Sequence, residues 1–127
     1  FSGRPAPLHP GGVPGLPDDV TREAYSHEVS SAGFWPGNDA FPRAAFYSYA
    51  YPEPAGFSSR PVAAGAAFDA TLGEFILPYD TVRDAAEPDA LLLDFLSTTY
   101  AAAADAGHWD RAALECAIGA PARVRPI

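Results

Sequence analysis

The chain has 127 residues and a formal net charge of −8, and its eight basic side chains are all arginine. This length supports one hydrophobic core rather than two. An acidic chain disfavours binding to phosphate backbones, and no stretch approaches the roughly 20 apolar residues of a membrane helix. The composition therefore predicts a soluble, acidic protein that binds neither nucleic acid nor membrane.

The first 17 residues are rich in proline and glycine. Five prolines interrupt any helix or sheet ladder in this stretch. We therefore expect residues 1–17 to form a strap that crosses the surface of a domain. Asp18 or Asp19 can then cap a short helical turn that runs through Arg22.

Two segments show the alternation that is typical of β-strands. In residues 25–31, one face holds Tyr25, His27 and Val29. Ala45–Tyr51 has the same period, with three tyrosines on one face. Glycine and proline between the two segments mark a predicted turn, at Gly33, Pro36 and Gly37.

A hairpin is predicted next. Residues 62–69 and 74–77 flank a turn in which Gly73 supplies a positive φ. Residues 61–106 also hold eight carboxylates, Glu74 among them, against one arginine. We interpret these carboxylates as a solvated face, the usual role of a charge run, with a cation-binding surface as the alternative.

The last third of the chain predicts three helices and a tail. A short helix can cover residues 79–85, and Pro88 stands at the favoured first position of a longer one that ends before Gly107. Asp110 can cap a final helix through Cys116, followed by a tail at residues 119–127. The long helix has an apolar stripe at spacings of three and four that would pack on a sheet, formed by Leu92, Phe95, Leu96, Thr99, Tyr100 and Ala103.

Together these elements predict an α+β fold. An antiparallel sheet of three or four strands would be covered on one face by the helix that starts near Pro88. Residues 18–118 would form a single domain or the C-terminal part of one. The other face of the sheet would meet either a cavity or a missing part of a larger domain.

His27 and Glu28 are the candidates for catalysis. Adjacent residues of a strand point to opposite faces, so these two cannot form a dyad unless a bulge intervenes. His27 could act as an acid or base beside a carboxylate, because imidazole titrates near neutral pH. The alternative is a histidine with structural contacts alone. We expect no metal site, since His9 and His108 stand at no spacing from His27 that would pre-form one.

Aromatic residues are dense between positions 25 and 51. Tyrosines on a strand give apolar walls with polar tips, which suit a ligand cavity and equally suit an interface between domains. No cofactor follows from the sequence. The predicted ligand-binding residues are the aromatic side chains, a nearby arginine and a rigid acceptor, namely Tyr25, Trp35, Tyr47, Tyr49, Tyr51, Arg22 and Glu53.

Three pieces of this region carry a resemblance to a known family. They read EAYSHEVSS at 23–31, GFWPG at 33–37 and FYSYAYPEP at 46–54. These pieces resemble the bacterial domain-of-unknown-function family 5996, which has no established activity. The resemblance implies that the chain is the C-terminal portion of a longer family sequence. Its partner would then be the missing N-terminal portion or another copy of the chain.

Three classes of function stay open at this point. The chain is a module that completes a larger fold or interface, an enzyme that uses His27 as acid or base, or a binder with an aromatic pocket. The surroundings of His27 separate them, because a buried His27 beside a carboxylate favours the enzyme and an aromatic pocket without such a pair favours the binder. A flat face favours the module. The single Cys116 fits a reducing cytoplasm.

Overall fold

The computed structural model describes residues 1–39 and 41–116. Within them, four strands form one antiparallel sheet in the order β1-β2-β4-β3, and helices follow and flank it, so the fold is α+β as predicted. In chain order the elements are α1 (Asp18–Ala24), β1 (Val29–Trp35), β2 (Ala45–Tyr51), a short 3₁₀ helix (Phe57–Ser59), β3 (Ala67–Asp69), β4 (Glu74–Pro78), α2 (Tyr79–Arg83), α3 (Pro88–Ala106) and α4 (Arg111–Leu114).

Strand β2 lies inside the sheet and has the predicted bounds. It pairs with β1 on one side and with β4 on the other. Tyr47, for example, lies opposite Gly33 of β1 and Ile76 of β4. Since side chains alternate along a strand, the three tyrosines of β2 share one face, while Ser48 and Ala50 lie buried on the other.

Strand β1 begins four residues later than predicted. The sequence suggested residues 25–31, but α1 runs to Ala24 and Tyr25 is its C-cap, with the backbone N–H of Tyr25 donating to the Thr21 carbonyl at 3.1 Å. The cap of the helix therefore takes Tyr25, and the strand begins only at Val29. Gly33, predicted to lie in a turn, is inside β1 instead.

The β3–β4 hairpin has the predicted turn but a shorter first arm. Gly73 has φ +72°, and Asp69 Oδ1 accepts the backbone N–H groups of Thr71 and Leu72 at 2.9 and 3.1 Å. The first arm was predicted to start at residue 62, but a turn closes there when Ala66 N–H donates to the Ala63 carbonyl at 3.2 Å. The chain enters the sheet only after this turn.

Helix α3 has the predicted start, end and buried face. Pro88 lies at its first position and Gly107 follows its last residue. Phe95, Thr99 and Ala103 are buried, so the predicted stripe does face the sheet. The two short helices end earlier than predicted, α2 at Arg83 rather than residue 85 and α4 at Leu114 rather than residue 116. The predicted tail at 119–127 lies outside the described residues.

The hydrophobic core lies between α3 and one face of the sheet. Phe57, Phe75, Leu77 and Phe95 are fully buried there and belong to one contact cluster. Burying a side chain of this size contributes roughly 1.5–3 kcal/mol relative to leaving it in water. The core thus forms on a single side of the sheet.

The N-terminal segment, residues 1–17, is fastened to the chain just before β1. Pro5 forms a β-bridge with His27, and Ala6 N–H donates to the Ser26 carbonyl at 2.9 Å. The guanidinium of Arg4 bonds both the Glu28 carboxylate and the carbonyl of Gly107 at the end of α3. This segment is therefore tied to both the sheet and the long helix.

Candidate ligand-binding site

The face of the sheet opposite α3 carries an open cavity of about 540 Å³. Its walls come from the end of α1, from β1 and β2, and from the β3–β4 hairpin. The volume falls within the roughly 300–1,000 Å³ of small-molecule sites. Five of the nine residues around it are aromatic, and the full set is Tyr25, Trp35, Tyr47, Tyr49, Ala50, Tyr51, Leu72, Gly73 and Glu74.

Tyr25 is joined to β2 through its hydroxyl and its ring. Its Oη lies 2.8 Å from Tyr49 Oη, and its ring centroid lies 4.8 Å from that of Tyr51. Burial raises the pKa of the Tyr25 phenol, and the hydrogen bond to Tyr49 and the charges of Tyr49, Glu74 and Tyr47 raise it further. Tyr25 consequently stays a neutral phenol at physiological pH.

The N-terminal segment holds these rings from the outside. The His9 ring stacks on Tyr25, with centroids 5.0 Å apart and planes 21° apart, and also lies 5.2 Å from the Tyr51 ring. Tyr51 Oη donates to the Pro7 carbonyl at 3.1 Å. Because both contacts come from a segment fixed by hydrogen bonds, the aromatic wall is positioned before any ligand arrives.

The position of the Tyr47 side chain depends on a glycine in the neighbouring strand. A Cβ placed on Gly33 would come within 2.8 Å of Tyr47 Oη and 3.0 Å of its Cζ. The missing side chain therefore lets the phenol lie across β1. The ring of Tyr47 is nearly parallel to that of Tyr49, at 15° and 6.2 Å between centroids. Gly33 is thus part of the site through the space it leaves.

Trp35 forms the far wall of the cavity at the end of β1. Its ring stacks on Phe41, with centroids 4.9 Å apart and planes 15° apart. This contact covers one face of the indole with protein. A ligand in the cavity can contact the remaining surface of the ring.

Glu74 is the charged side chain in the cavity wall. It begins β4 and is half-buried, and burial raises the pKa of its carboxyl, with the charge of Asp69 raising it further. The sequence predicts a solvated acidic face for this carboxylate, so its place in the cavity wall was not predicted. The alternation Glu74, Phe75, Ile76 places it on the face of Ile76, but only the pairing of Ile76 with Tyr47 shows that this is the tyrosine face.

The catalytic candidates lie elsewhere. His27 is exposed, its Nδ1 lies 3.1 Å from Ser26 Oγ, and it is not among the side chains that line the cavity. Glu28 accepts Arg4 Nη2 at 2.6 Å and Ser2 Oγ at 2.9 Å. Although burial raises the pKa of Glu28, the bonds from Arg4, Ser2 and Trp109 and the Arg4 charge lower it overall.

Two further candidates also lie outside the cavity wall. Arg22 donates to the carbonyls of His9 and Pro10, each at 3.2 Å, so it fastens the N-terminal segment to α1. Glu53 is exposed beyond the end of β2. The five aromatic candidates therefore line the cavity together, and the two charged candidates, Arg22 and Glu53, do not line it.

The described residues contain no cluster of three histidine, cysteine or carboxylate side chains that could hold a metal ion. Among these same residues, no helix has the length and apolar character needed to cross a membrane.

The fold and site define an α+β protein with an aromatic cleft on the sheet face opposite its long helix. The model of a family described as "Family of unknown function (DUF5996)" matches residues 1–116, and the chain belongs to this family. The resemblance found in the sequence is thereby confirmed, but the match gives no support to the narrower expectation of a C-terminal portion. A comparison with curated proteins and with solved structures found no significant match to either.

Proposed function

We propose that this protein binds a small organic molecule in the aromatic cavity and does so without catalysing its conversion. The observation that carries the proposal is the cavity itself, which has five aromatic side chains and one carboxylate around about 540 Å³. Concave sites with mostly aromatic walls and a few polar groups are typical of small-molecule binding.

The positions of the titratable groups favour binding over catalysis. General acid–base chemistry needs a proton donor or acceptor within hydrogen-bond reach of the substrate. His27 is exposed outside the cavity wall, and Glu28 is engaged by Arg4 and Ser2. Inside the cavity, Glu74 is the one carboxylate among the described residues, and no histidine or second carboxylate lines the wall with it, while the Tyr25 and Tyr49 hydroxyls are hydrogen-bonded to each other. The arrangement supplies walls and orientation rather than a reacting pair.

The aromatic side chains of the cavity are also held in place before a ligand binds, which favours binding. Tyr25 and Tyr51 are held by the N-terminal segment through His9 and Pro7. Rings that are already ordered lose little conformational entropy when a ligand arrives.

A reducing cytoplasm, which the lone Cys116 fits, is the location that we propose with this function.

A fragment library screened by protein-observed NMR tests the proposal. We expect hits to shift the indole N–H of Trp35, which lines the cavity, and not that of Trp109 near the end of α3. Tyr49→Ala should abolish these shifts, because it removes a wall. Tyr79→Ala is the matched control, since Tyr79 is exposed beside Phe34. Hits that cluster on α3, or no hit at the cavity, would refute the proposal.

The edge of the sheet favours a second candidate, an interface with another copy of the chain. Among the described residues β1 pairs only with β2, and Phe34 on this strand is 52% exposed. An unpaired strand edge is a template for antiparallel pairing about a twofold axis. Sedimentation should show a dimer that Phe34→Asp converts to monomer; a monomer at every concentration would reject this candidate.

A further inference from the structure

In the part of the chain that the structure describes, the cavity wall has one charged side chain, and its charge is negative. Glu74 supplies the carboxylate in the wall, and no arginine stands among the lining residues. The arginines nearest in sequence are engaged elsewhere, Arg22 by the carbonyls of His9 and Pro10, and Arg43 over the ring of Phe41. An anionic ligand would therefore meet a like charge without a compensating cation.

The aromatic rings of the cavity wall also attract positive charge. The faces of Tyr and Trp rings carry the negative part of the ring quadrupole, so a cation placed over them is attracted. Tyr47 and Tyr49 present nearly parallel rings on one strand, with Trp35 at the end of the neighbouring strand. Rings and carboxylate together favour a positive charge that is weakly hydrated.

A neutral ligand fits this site less well. Covering Glu74 with an uncharged molecule that has no hydrogen-bond donor beside it would remove water from a carboxylate and give it no partner, which is unfavourable. A cationic ligand supplies the partner. Methyl groups on the cation lower the cost of taking it from water and match the apolar walls of the cavity.

We propose that the ligand is a small organic cation with a methylated ammonium group, held over the tyrosine and tryptophan rings with its charge beside Glu74. This inference rests on the proposed binding function and specifies its ligand class. Burial raises the pKa of Glu74, and the charge of Asp69 raises it further. A cation bound beside this carboxylate would lower the pKa again, because an opposite charge favours the ionised form. The affinity for the cation should consequently fall as pH falls through the raised pKa.

Choline and its uncharged isostere 3,3-dimethylbutan-1-ol separate charge from shape. Each is titrated into the full chain at constant ionic strength, and the Trp35 indole N–H shift gives the Kd. We expect choline to bind about tenfold or more tightly than the isostere, the ratio that corresponds to one cation–π contact. Sodium chloride at equal concentration should leave the Trp35 resonance unmoved.

Glu74→Gln tests the role of the carboxylate in the same assay. It keeps the shape of the side chain and removes its charge, so choline affinity should drop about tenfold while that of the isostere holds or rises. Glu87→Gln is the matched control, because Glu87 is exposed at the start of α3 and loses the same charge. Unaltered choline affinity in Glu74→Gln would overturn the inference.

The outcomes distinguish this inference from the function on which it rests. If both compounds bind equally, or if neither binds while neutral library fragments shift Trp35, the cation inference is wrong and the binding function stands. If neither compound nor any fragment shifts Trp35, both are wrong. Binding of choline alone at Trp35 that depends on Glu74 supports both.

Discussion

The two faces of the sheet have opposite characters although their residues alternate along the same strands. On the α3 side, Phe75, Leu77 and Phe95 are almost completely buried. On the other side, Tyr47 and Tyr49 keep part of their surface in water and end in hydroxyls. One face excludes water, and the other leaves a cavity into which water and ligands can enter.

Under the proposed binding function, this difference separates the residues that stabilise the fold from those that contact the ligand. Burial of apolar side chains is the dominant favourable contribution to folding, so we expect the α3 face to supply most of the stability of the sheet. The tyrosine face is then free to carry groups that weaken the fold, such as the half-buried carboxylate of Glu74. The comparison predicts large stability effects on one face and large binding effects on the other.

The largest effect should come from truncating an aromatic ring on the α3 face. Phe95 is 0% exposed, so Phe95→Ala should cost about 3–5 kcal/mol of unfolding free energy. Tyr49→Ala, an equal truncation on the cavity face, should cost less than half of that. The exposed Asp94→Ala should cost under about 0.5 kcal/mol. Urea titrations measure all three, and equal losses for Phe95 and Tyr49 would show that the two faces share one core.

The sequence predicts the α3 face better than the cavity face because its signals are local. The start of α3 follows from Pro88, its buried stripe from residue spacing, and the bounds of β2 from strict alternation. The three tyrosines of β2 were also predicted to share a face, since alternate residues of one strand must lie side by side. These inferences require only neighbouring residues.

The rest of the cavity depends on residues that are distant in the chain. Gly33 looks like a turn residue until the ring of Tyr47 is placed against it across the β1–β2 pair. Glu74 looks like part of an acidic surface until β4 is paired with β2. His27 was predicted to lie on a strand face because nothing local shows that α1 extends to Ala24 and has its cap at Tyr25. The strand therefore begins only at Val29. Pairing register and helix length decide all three.

A smaller effect, of opposite sign, is expected at Ser48 on the α3 side of β2. Its hydroxyl is fully buried without a hydrogen-bond partner among the described residues. Ser48→Ala should raise the unfolding free energy by about 1 kcal/mol, because an unsatisfied buried polar group is unfavourable. Thr99→Val should bring no such gain, since Thr99 Oγ1 donates to the Phe95 carbonyl at 2.8 Å. A loss of stability in Ser48→Ala would show that its hydroxyl is bonded after all.

A substitution at Gly33 should change binding more than stability. The three atoms nearest to the added Cβ all belong to the phenol end of Tyr47, which can swing away, so Gly33→Ala should alter stability by less than about 0.5 kcal/mol. The displaced phenol should nevertheless weaken ligand binding measured at Trp35. Ala32→Ser, next to it on the opposite strand face, is the control and should leave binding intact. Unaltered binding in Gly33→Ala would mean that Tyr47 does not shape the site.

The smallest effect should be a pH-dependent gain in stability when Glu74 loses its charge. The folded protein raises the pKa of this carboxyl through burial and the Asp69 charge, so the folded state binds protons more readily than the unfolded state. A carboxyl with a raised folded pKa weakens the fold most above that pKa, and the penalty disappears as pH falls below the ordinary carboxyl value. Glu74→Gln should therefore melt slightly above wild type at pH 7 and equally with it at acid pH, where both side chains are neutral. Scanning calorimetry across this range measures the difference. A variant that melts below wild type at pH 7 would show that Glu74 stabilises the fold, as the buried residues on the α3 side of the sheet do.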